Sequence, residues 1–323
     1  YGMAISNFDE GEPKRFNFGF IASSDNHRAR PGTGYKEIDR FVTTEANGPA
    51  SEFVADALYP KEDSQPQSID LREGELLGLR AGFGAFEAER EASFFSTGGL
   101  AAVHSSGRDR ESIWNGLRRK ETYGTSGDRI LLWFDLVSES SDIPMGGTVK
   151  TAINPIFKVK AVGAFKQKPG CPDYSSTNIT DEEIERICKN ECYNPSDERK
   201  IITRIEVIKV TPQAFKGEQV DGLISDPWKV FNCEPNQQGC EVEFSDEEFN
   251  SASRDASYYV RAIQEPSPAV NAGSLRCTYD DEGNCLEVNI CYGDNRTSKD
   301  DDCLVMSEER AWSSPIYLNY YNL

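Results

Sequence analysis

The chain has 323 residues, long enough for two domains, and its 37% hydrophobic and 11% aromatic content excludes a wholly disordered protein. Its 54 acidic residues against 35 basic ones leave a net charge of −19, and a surface this negative repels phosphodiester backbones, which argues against general nucleic-acid binding. Local basic groups can still hold a small anion. No stretch reaches the roughly 20 apolar residues that span a bilayer.

Residues 1–15 are polar and read as a linker or as the tail of a preceding element. The next stretch, FNFGFIASSDNHRARPG (16–32), begins with alternating Phe16, Phe18 and Phe20, and ends in small and polar residues. This pattern predicts a buried strand over 16–24 that delivers Asp25 and His27 at its C-terminal end, where ligands and metals sit in α/β folds. One residue apart, the two side chains point to the same side of an extended chain. A carboxylate and an imidazole aimed at one point are suited to a divalent metal. Arg28 and Arg30 follow directly and offer guanidinium forks for phosphate or carboxylate, or salt bridges to Glu37 and Asp39. Residues 28–97 form a long irregular segment, of the kind that is usually a functional loop or lid, with a short helix expected over 81–95.

The pattern sharpens after residue 97. GGLAAVHS (98–105) reads as a strand ending in His104, the only other histidine. A helix follows. Asp109 is placed to cap it, Glu111 lies in the first turn, Arg118, Arg119 and Lys120 lie in the last, and Gly124 suits the end. Ile113 and Leu117 mark the expected buried face. RILLWFDL (129–136) reads as a second strand, so the three elements predict a βαβ unit of a parallel sheet. Arg108, beside His104, is a candidate substrate contact or a partner for Glu111. The turn at 124–127 offers backbone amides to an anion, or is simply a turn.

From residue 138 the texture changes to short β-rich runs at 156–165, 202–210, 240–246, 257–265 and 314–321, the signature of an antiparallel sandwich. A helix is expected over 181–190, in an insertion held by cysteines. All nine cysteines lie between Cys171 and Cys303, in turn-rich polar surroundings, which predicts disulfides in an exported protein. Nine is odd, so at least one thiol is free or pairs outside the chain. No CxxC occurs, and Cys188 and Cys192 are the closest pair.

Other chemistries lack support. GTGYK (32–36) is not a phosphate-binding loop, no GxSxG elbow occurs, and the acidic runs 280–282 and 300–302 do not follow EF-hand spacing. The triplets at Asn178 and Asn295 are glycosylation acceptors only in a eukaryotic secretory host.

Three segments, SSDNHRARPG, the run from Ser96 to Leu136, and RAWSSPIYLNYY (310–321), together resemble a group of large bacterial exported proteins of unknown function. That group is related to the PHP metallohydrolases, named for polymerase and histidinol phosphatase. The resemblance covers about a quarter of the chain. It implies a distorted α/β barrel with metal ions at the C-terminal ends of its strands, and hydrolysis of phosphoesters by metal-bound hydroxide. Asp25 and His27 match the last metal-binding motif of that superfamily. His104 matches no superfamily ligand, and its role rests on position. Such sites collect further histidines and carboxylates from earlier strands, whereas this chain has no histidine before His27 and no His-x-His.

The expected architecture is therefore α/β plus all-β: residues 1–137 as the C-terminal part of a distorted PHP-like α/β barrel, with a loop insertion at 28–97, followed by a β-sandwich-like domain over 138–323 with cysteine-containing insertions. The start at Tyr1 without Met leads to the expectation that an upstream half supplies the missing ligands and that this chain alone is inactive. The expected function is metal-dependent hydrolysis of phosphoesters or related esters. Asp25 and His27 would hold zinc or manganese, His104 and Arg108 would act at the reacting group, and Arg28 and Arg30 would bind a small anionic substrate, in a periplasmic or extracellular setting. The alternative is a non-catalytic binding or structural envelope protein with a degenerate metal site.

Overall fold

Burial alternates along the strands, and that alternation builds two facing sheets. Along Ile156–Val162, Phe157, Val159 and Ala161 are buried while Ile156, Lys158 and Lys160 face outward. Leu131–Leu136 repeats the pattern, with Leu132, Phe134 and Leu136 inside and Leu131, Trp133 and Asp135 outside. The computed structural model describes residues 1–9, 11, 13–23, 53, 99–177, 179–270, 276–289, 291, 297–298 and 300–321.

The chain runs through β1 (Ser6–Asn7), β2 (Lys14–Arg15), β3 (Leu100–Val103), α1 (Arg110–Arg118), β4 (Thr122–Thr125) and β5 (Leu131–Leu136). Next come β6 (Ile143–Pro144), β7 (Thr148–Thr151), β8 (Ile156–Val162), β9 (Phe165–Gln167), α2 (Asp181–Cys188) and β10 (Pro195–Arg199). Then follow β11 (Ile202–Val210), β12 (Ile224–Asn232), β13 (Cys240–Ser245), α3 (Phe249–Ala252) and β14 (Ala256–Gln264). The last strands are β15 (Ser267–Val270), β16 (Arg276–Tyr279), β17 (Cys285–Asn289), β18 (Leu304–Ser307), β19 (Arg310–Ser313) and β20 (Ile316–Tyr320).

An eight-stranded sheet takes the order β12-β11-β14-β19-β4-β3, with β20 beside β14 and β7 beside β20. A four-stranded sheet takes the order β13-β8-β5-β6. All their pairings are antiparallel except β7 with β20. One hydrophobic core joins them, drawing on Tyr123, Ile205, Val260 and Ile316 from the large sheet and on Leu132, Phe157 and Phe244 from the small one. Phe157 is its pivot, with ring centroids 5.4 Å from Phe134, 5.2 Å from Phe244 and 4.8 Å from Tyr258 across the layer. The disulfide Cys233–Cys240 links the end of β12 to the start of β13 and so staples one sheet to the other.

The expected antiparallel sandwich is present, and the strands predicted at 156–165, 202–210, 240–246, 257–265 and 314–321 coincide with β8, β11, β13, β14 and β20. Both sheets take strands from either side of residue 137. The barrel half of the expectation differs: the described residues form mostly β-sheet with few helices and no closed barrel.

The βαβ unit is not formed. β3 and β4 pair antiparallel, with Leu100 opposite Thr125 and Val103 opposite Thr122, and β5 belongs to the other sheet. The physical reason is the short return after α1. Lys120 takes φ 61° and turns the chain straight back beside β3, leaving no crossover to a parallel position. The helix accordingly ends at Arg119 rather than at Gly124, and the expected turn at 124–127 begins inside β4.

The predicted strand over 16–24 is also corrected, because residues 16–23 join no ladder. Their backbone bonds to side chains instead. Phe18 N donates to Tyr317 Oη at 3.1 Å, Tyr317 Oη donates to Phe18 O at 2.8 Å, and Phe20 N donates to Ser314 Oγ at 2.8 Å. Phe16 and Phe18 are exposed, so their alternation does not mark a buried face. Ala22 lies over Gly124 of β4, where a Cβ would come within 2.7 Å of it. The long segment 28–97 and the helix expected within it fall outside the described residues, apart from Phe53.

Four disulfides form, Cys171–Cys192, Cys233–Cys240, Cys277–Cys285 and Cys291–Cys303, leaving Cys188 as a thiol. They point to an oxidising, non-cytoplasmic location. No helix among the described residues is long and apolar enough to cross a membrane.

Candidate functional site

His104 is fixed where β3 hands over to α1. The helix begins on Asp109, whose carboxylate accepts from Ser112 N at 2.9 Å and Ser112 Oγ at 2.6 Å; those bonds hold it below the usual carboxylate range. Glu111 in the first turn and Arg118 in the last match the expected charge placement. The packing face is different from the expected one. Ile113 is exposed and Leu117 only half-buried, and the buried residue is Gly116. A Cβ there would lie 2.5 Å from His104 O and 2.7 Å from Val103 Cγ2, so the missing side chain is what lets α1 sit on the end of β3. Gly116→Ala should therefore be destabilising. The better helix propensity of alanine is worth about 1 kcal/mol, and overpacking against backbone costs about 1–3 kcal/mol. A net gain in denaturation midpoint would contradict this packing.

His104 N donates to Glu121 O at 2.8 Å, and its Nε2 lies 2.8 Å from Leu132 O. A carbonyl only accepts, so Nε2 is the donor in this bond. The ring lies 5.6 Å from Tyr123 and 5.9 Å from Trp133. Beside it the outward face of the four-stranded sheet forms an open depression of about 650 Å³, lined by Trp133, Asp135, Lys158, Lys160, Glu241 and Glu243. The register makes two cross-strand rows: Asp135, Lys158 and Glu243 in one, Trp133, Lys160 and Glu241 in the other. Burial pushes the Asp135 carboxyl up. Asp142 and Glu121 add to this, while His104 and Lys158 act against it.

Trp133 and Asp135 were not among the sequence candidates. Their signal lay in LLWFDL, where a tryptophan and an aspartate share the outward parity of an otherwise apolar strand. Arg108 is exposed in the loop entering α1, and no hydrogen bond joins it to His104. Asp25, His27, Arg28 and Arg30 lie outside the described residues. The chain leading to them does have a fixed origin. Ser23 O and Thr125 O each lie 3.1 Å from the position of a Cβ on Gly99, at the end of β3 opposite His104.

A buried charged network flanks that end. Asp128 Oδ2 accepts from Lys200 Nζ at 3.0 Å and from Gln264 Nε2 at 2.5 Å, and Lys200 Nζ also donates to Ser267 Oγ at 2.8 Å. Glu309, 3% exposed, accepts from Ser126 Oγ. Burial, and then the nearby Asp128, push its carboxyl up to about 7 against Ser126, Lys200 and Arg310. Sequence reasoning missed this network entirely. Among the described residues, the group of three or more potential metal-ligating side chains is Cys171, Cys188 and Cys192.

Comparison with known families places the N-terminal half of the chain. Residues 2–162 carry a DUF3604 domain, described as a protein of unknown function. No curated protein matches the chain, and no solved structure matches it. The DUF3604 segment contains His104, Arg108, Trp133, Asp135 and the Asp25-x-His27 motif, and it ends at the last residue of β8. Its strands are not self-sufficient as sheets. β4 pairs with β19, β7 with β20 and β8 with β13, all from beyond residue 162.

Proposed function

We propose that this chain is part of a metal-dependent hydrolase of phosphoesters or related esters, in which the DUF3604 segment supplies one wall of the site. Asp25 and His27 hold a divalent ion, zinc or manganese, with further ligands from outside the chain. The ion would supply a hydroxide nucleophile near neutral pH and neutralise charge on the phosphoryl oxygens. Arg28 and Arg30 bind the anionic substrate. His104 stands at the opposite end of β3 from Ser23, so it is assigned, with Arg108, to the substrate rather than to the ion. The resemblance to PHP metallohydrolases motivates the reaction class. The observation that supports the reading is the anchoring of residues 18–23 onto Tyr317, Ser314 and Gly124, which holds the chain as far as Ser23, two positions before the motif in sequence.

The test is metal content of the purified natural full-length protein by elemental analysis, with aryl phosphate hydrolysis assayed alongside. Asp25→Ala combined with His27→Ala should bring both to background. Unchanged metal stoichiometry in the double variant would end the ligand assignment. A second reading, a non-catalytic binding module, is favoured by the depression around Trp133, whose aromatic and charged lining suits a polar ligand. It gains if the unaltered protein holds no metal and hydrolyses no ester.

A further inference from the structure

The insertion between β9 and β10 carries chemistry that neither reading above uses. Its base is closed by three hydrogen bonds, in which Lys168 N donates to Asn194 O at 2.7 Å, Asn194 N to the Gln167 amide Oε1 at 2.8 Å, and Gly170 N to the Glu191 carboxylate Oε2 at 2.9 Å. The disulfide Cys171–Cys192 closes the neck across a separation of 21 residues. Inside it, α2 starts on a capping box between Thr180 and Glu183 and buries Ile184. The helix then stops abruptly. Lys189 and Asn190 take φ 52° and 60°, and Glu191 N returns to Cys188 O at 2.8 Å. Two successive left-handed residues are what fold Cys192 back beside Cys188, four positions earlier. Cys188 Sγ consequently lies 3.4 Å from Cys192 Sγ, and the three sulfurs are all within 4.8 Å of one another. All three cysteines are half-buried, within reach of small reagents.

We propose that this cluster is a thiol–disulfide exchange site in which Cys188 is the attacking thiol. Cys188 gives its proton to solvent, and its thiolate attacks Cys192 Sγ. The Cys188–Cys192 bond forms, the Cys171–Cys192 bond breaks, and Cys171 leaves as a thiolate that takes up a proton. One disulfide and one thiol are present before and after, so no oxidant or reductant is consumed. The 3.4 Å separation selects Cys192 as the sulfur attacked. The new bond encloses only the tight turn after α2, so exchange opens the neck of the insertion while the hydrogen bonds at its base stay. The thiol moves from the helix end to the neck, where the Cys171 thiolate can attack a small-molecule disulfide, forming a mixed disulfide and releasing the other half as a thiol.

The experiment uses the oxidised full chain as purified. It is incubated at mildly alkaline pH, trapped with N-ethylmaleimide, digested in acid and mapped by mass spectrometry. One label per chain is expected from these three cysteines, divided between Cys188 and Cys171, with a Cys188–Cys192 cross-linked peptide present. Cys188→Ser should abolish the label on Cys171. Cys171→Ser, treated with oxidised glutathione as the two-electron acceptor, should yield the Cys188–Cys192 disulfide in place of two thiols. Label confined to Cys188 after prolonged incubation, label on Cys192, or two free thiols in Cys171→Ser would each overturn the proposal.

Discussion

Asp246→Ala should lower the free energy of unfolding by about 3–5 kcal/mol, the usual cost of removing one partner from a buried charged pair. Asp246 is 1% exposed and sits just after β13 of the small sheet, yet its two side-chain partners come from the large one. Its Oδ2 accepts from Lys209 Nζ and from Tyr258 Oη, both at 2.5 Å, and its Oδ1 accepts from Glu248 N at 3.1 Å. Burial alone would push this carboxyl up. The bonds from Lys209 and Tyr258, the lysine charge and the Glu248 amide outweigh it and hold it below the usual range. Its contribution is therefore present above the unfolded pKa and lost as pH falls through the folded one. Alanine leaves the Lys209 ammonium and the fully buried Tyr258 hydroxyl without their acceptor. The Lys209 ammonium lies 5.2 Å from the Trp228 ring, and urea unfolding followed by far-UV circular dichroism measures the loss. Asp246→Leu with Lys209→Met should lose much less than the single change, since replacing both partners avoids a stranded charge. A single-variant loss under about 1 kcal/mol would mean that water takes over the carboxylate's role.

That network and the facing core also explain which parts of the fold could be read in advance. β8, β11 and β14 were legible because they alternate or run continuously apolar and are rich in β-branched and aromatic residues. β5 was legible as a strand, but its sheet was not, because alternation fixes which face is buried and is silent about the neighbour across the ladder. β4 was missed because Thr-Tyr-Gly-Thr has no apolar parity; all four residues are buried, with Tyr123 in the core and Ala22 against Gly124 on the other side. Phe16, Phe18 and Phe20 misled for the converse reason, since their spacing imitates a strand while their backbone bonds go to Tyr317 and Ser314. Three of the four disulfides join cysteines consecutive in sequence, but Cys171–Cys192 skips Cys188, a choice set by the double left-handed turn and not by spacing. For the site, His104 was legible from its place at a strand end. Its orientation was not, because the carbonyl that its Nε2 meets belongs to Leu132, 28 residues away. Asp128, Lys200, Gln264 and Glu309 come from four separate segments, and no local pattern relates them.

Glu309 supplies a pH dependence that falls between mildly acidic and neutral pH. Its carboxyl rises from an ordinary 4.5 to about 7 in the folded chain, so between those values the native state holds a proton that the unfolded state has released. The stabilising contribution is complete below pH 4.5 and disappears as pH climbs through 7. The gap corresponds to about 3 kcal/mol, large against the usual 5–15 kcal/mol of total stability. Lys200 and Arg310 keep the value from rising further, while Asp128, itself held by Lys200 and Gln264, raises it. Glu309→Gln keeps an acceptor for Ser126 but cannot ionise, so the variant should lose far less stability than the unaltered protein between pH 5 and pH 8. Urea midpoints measured across that range test it, since the other titrating groups cancel in the difference. At pH 5 the two proteins should be close, and at pH 8 the glutamine variant should be more stable by up to about 3 kcal/mol. Parallel curves would mean that Glu309 is ionised in the folded protein throughout, and that Lys200 and Arg310 outweigh its burial.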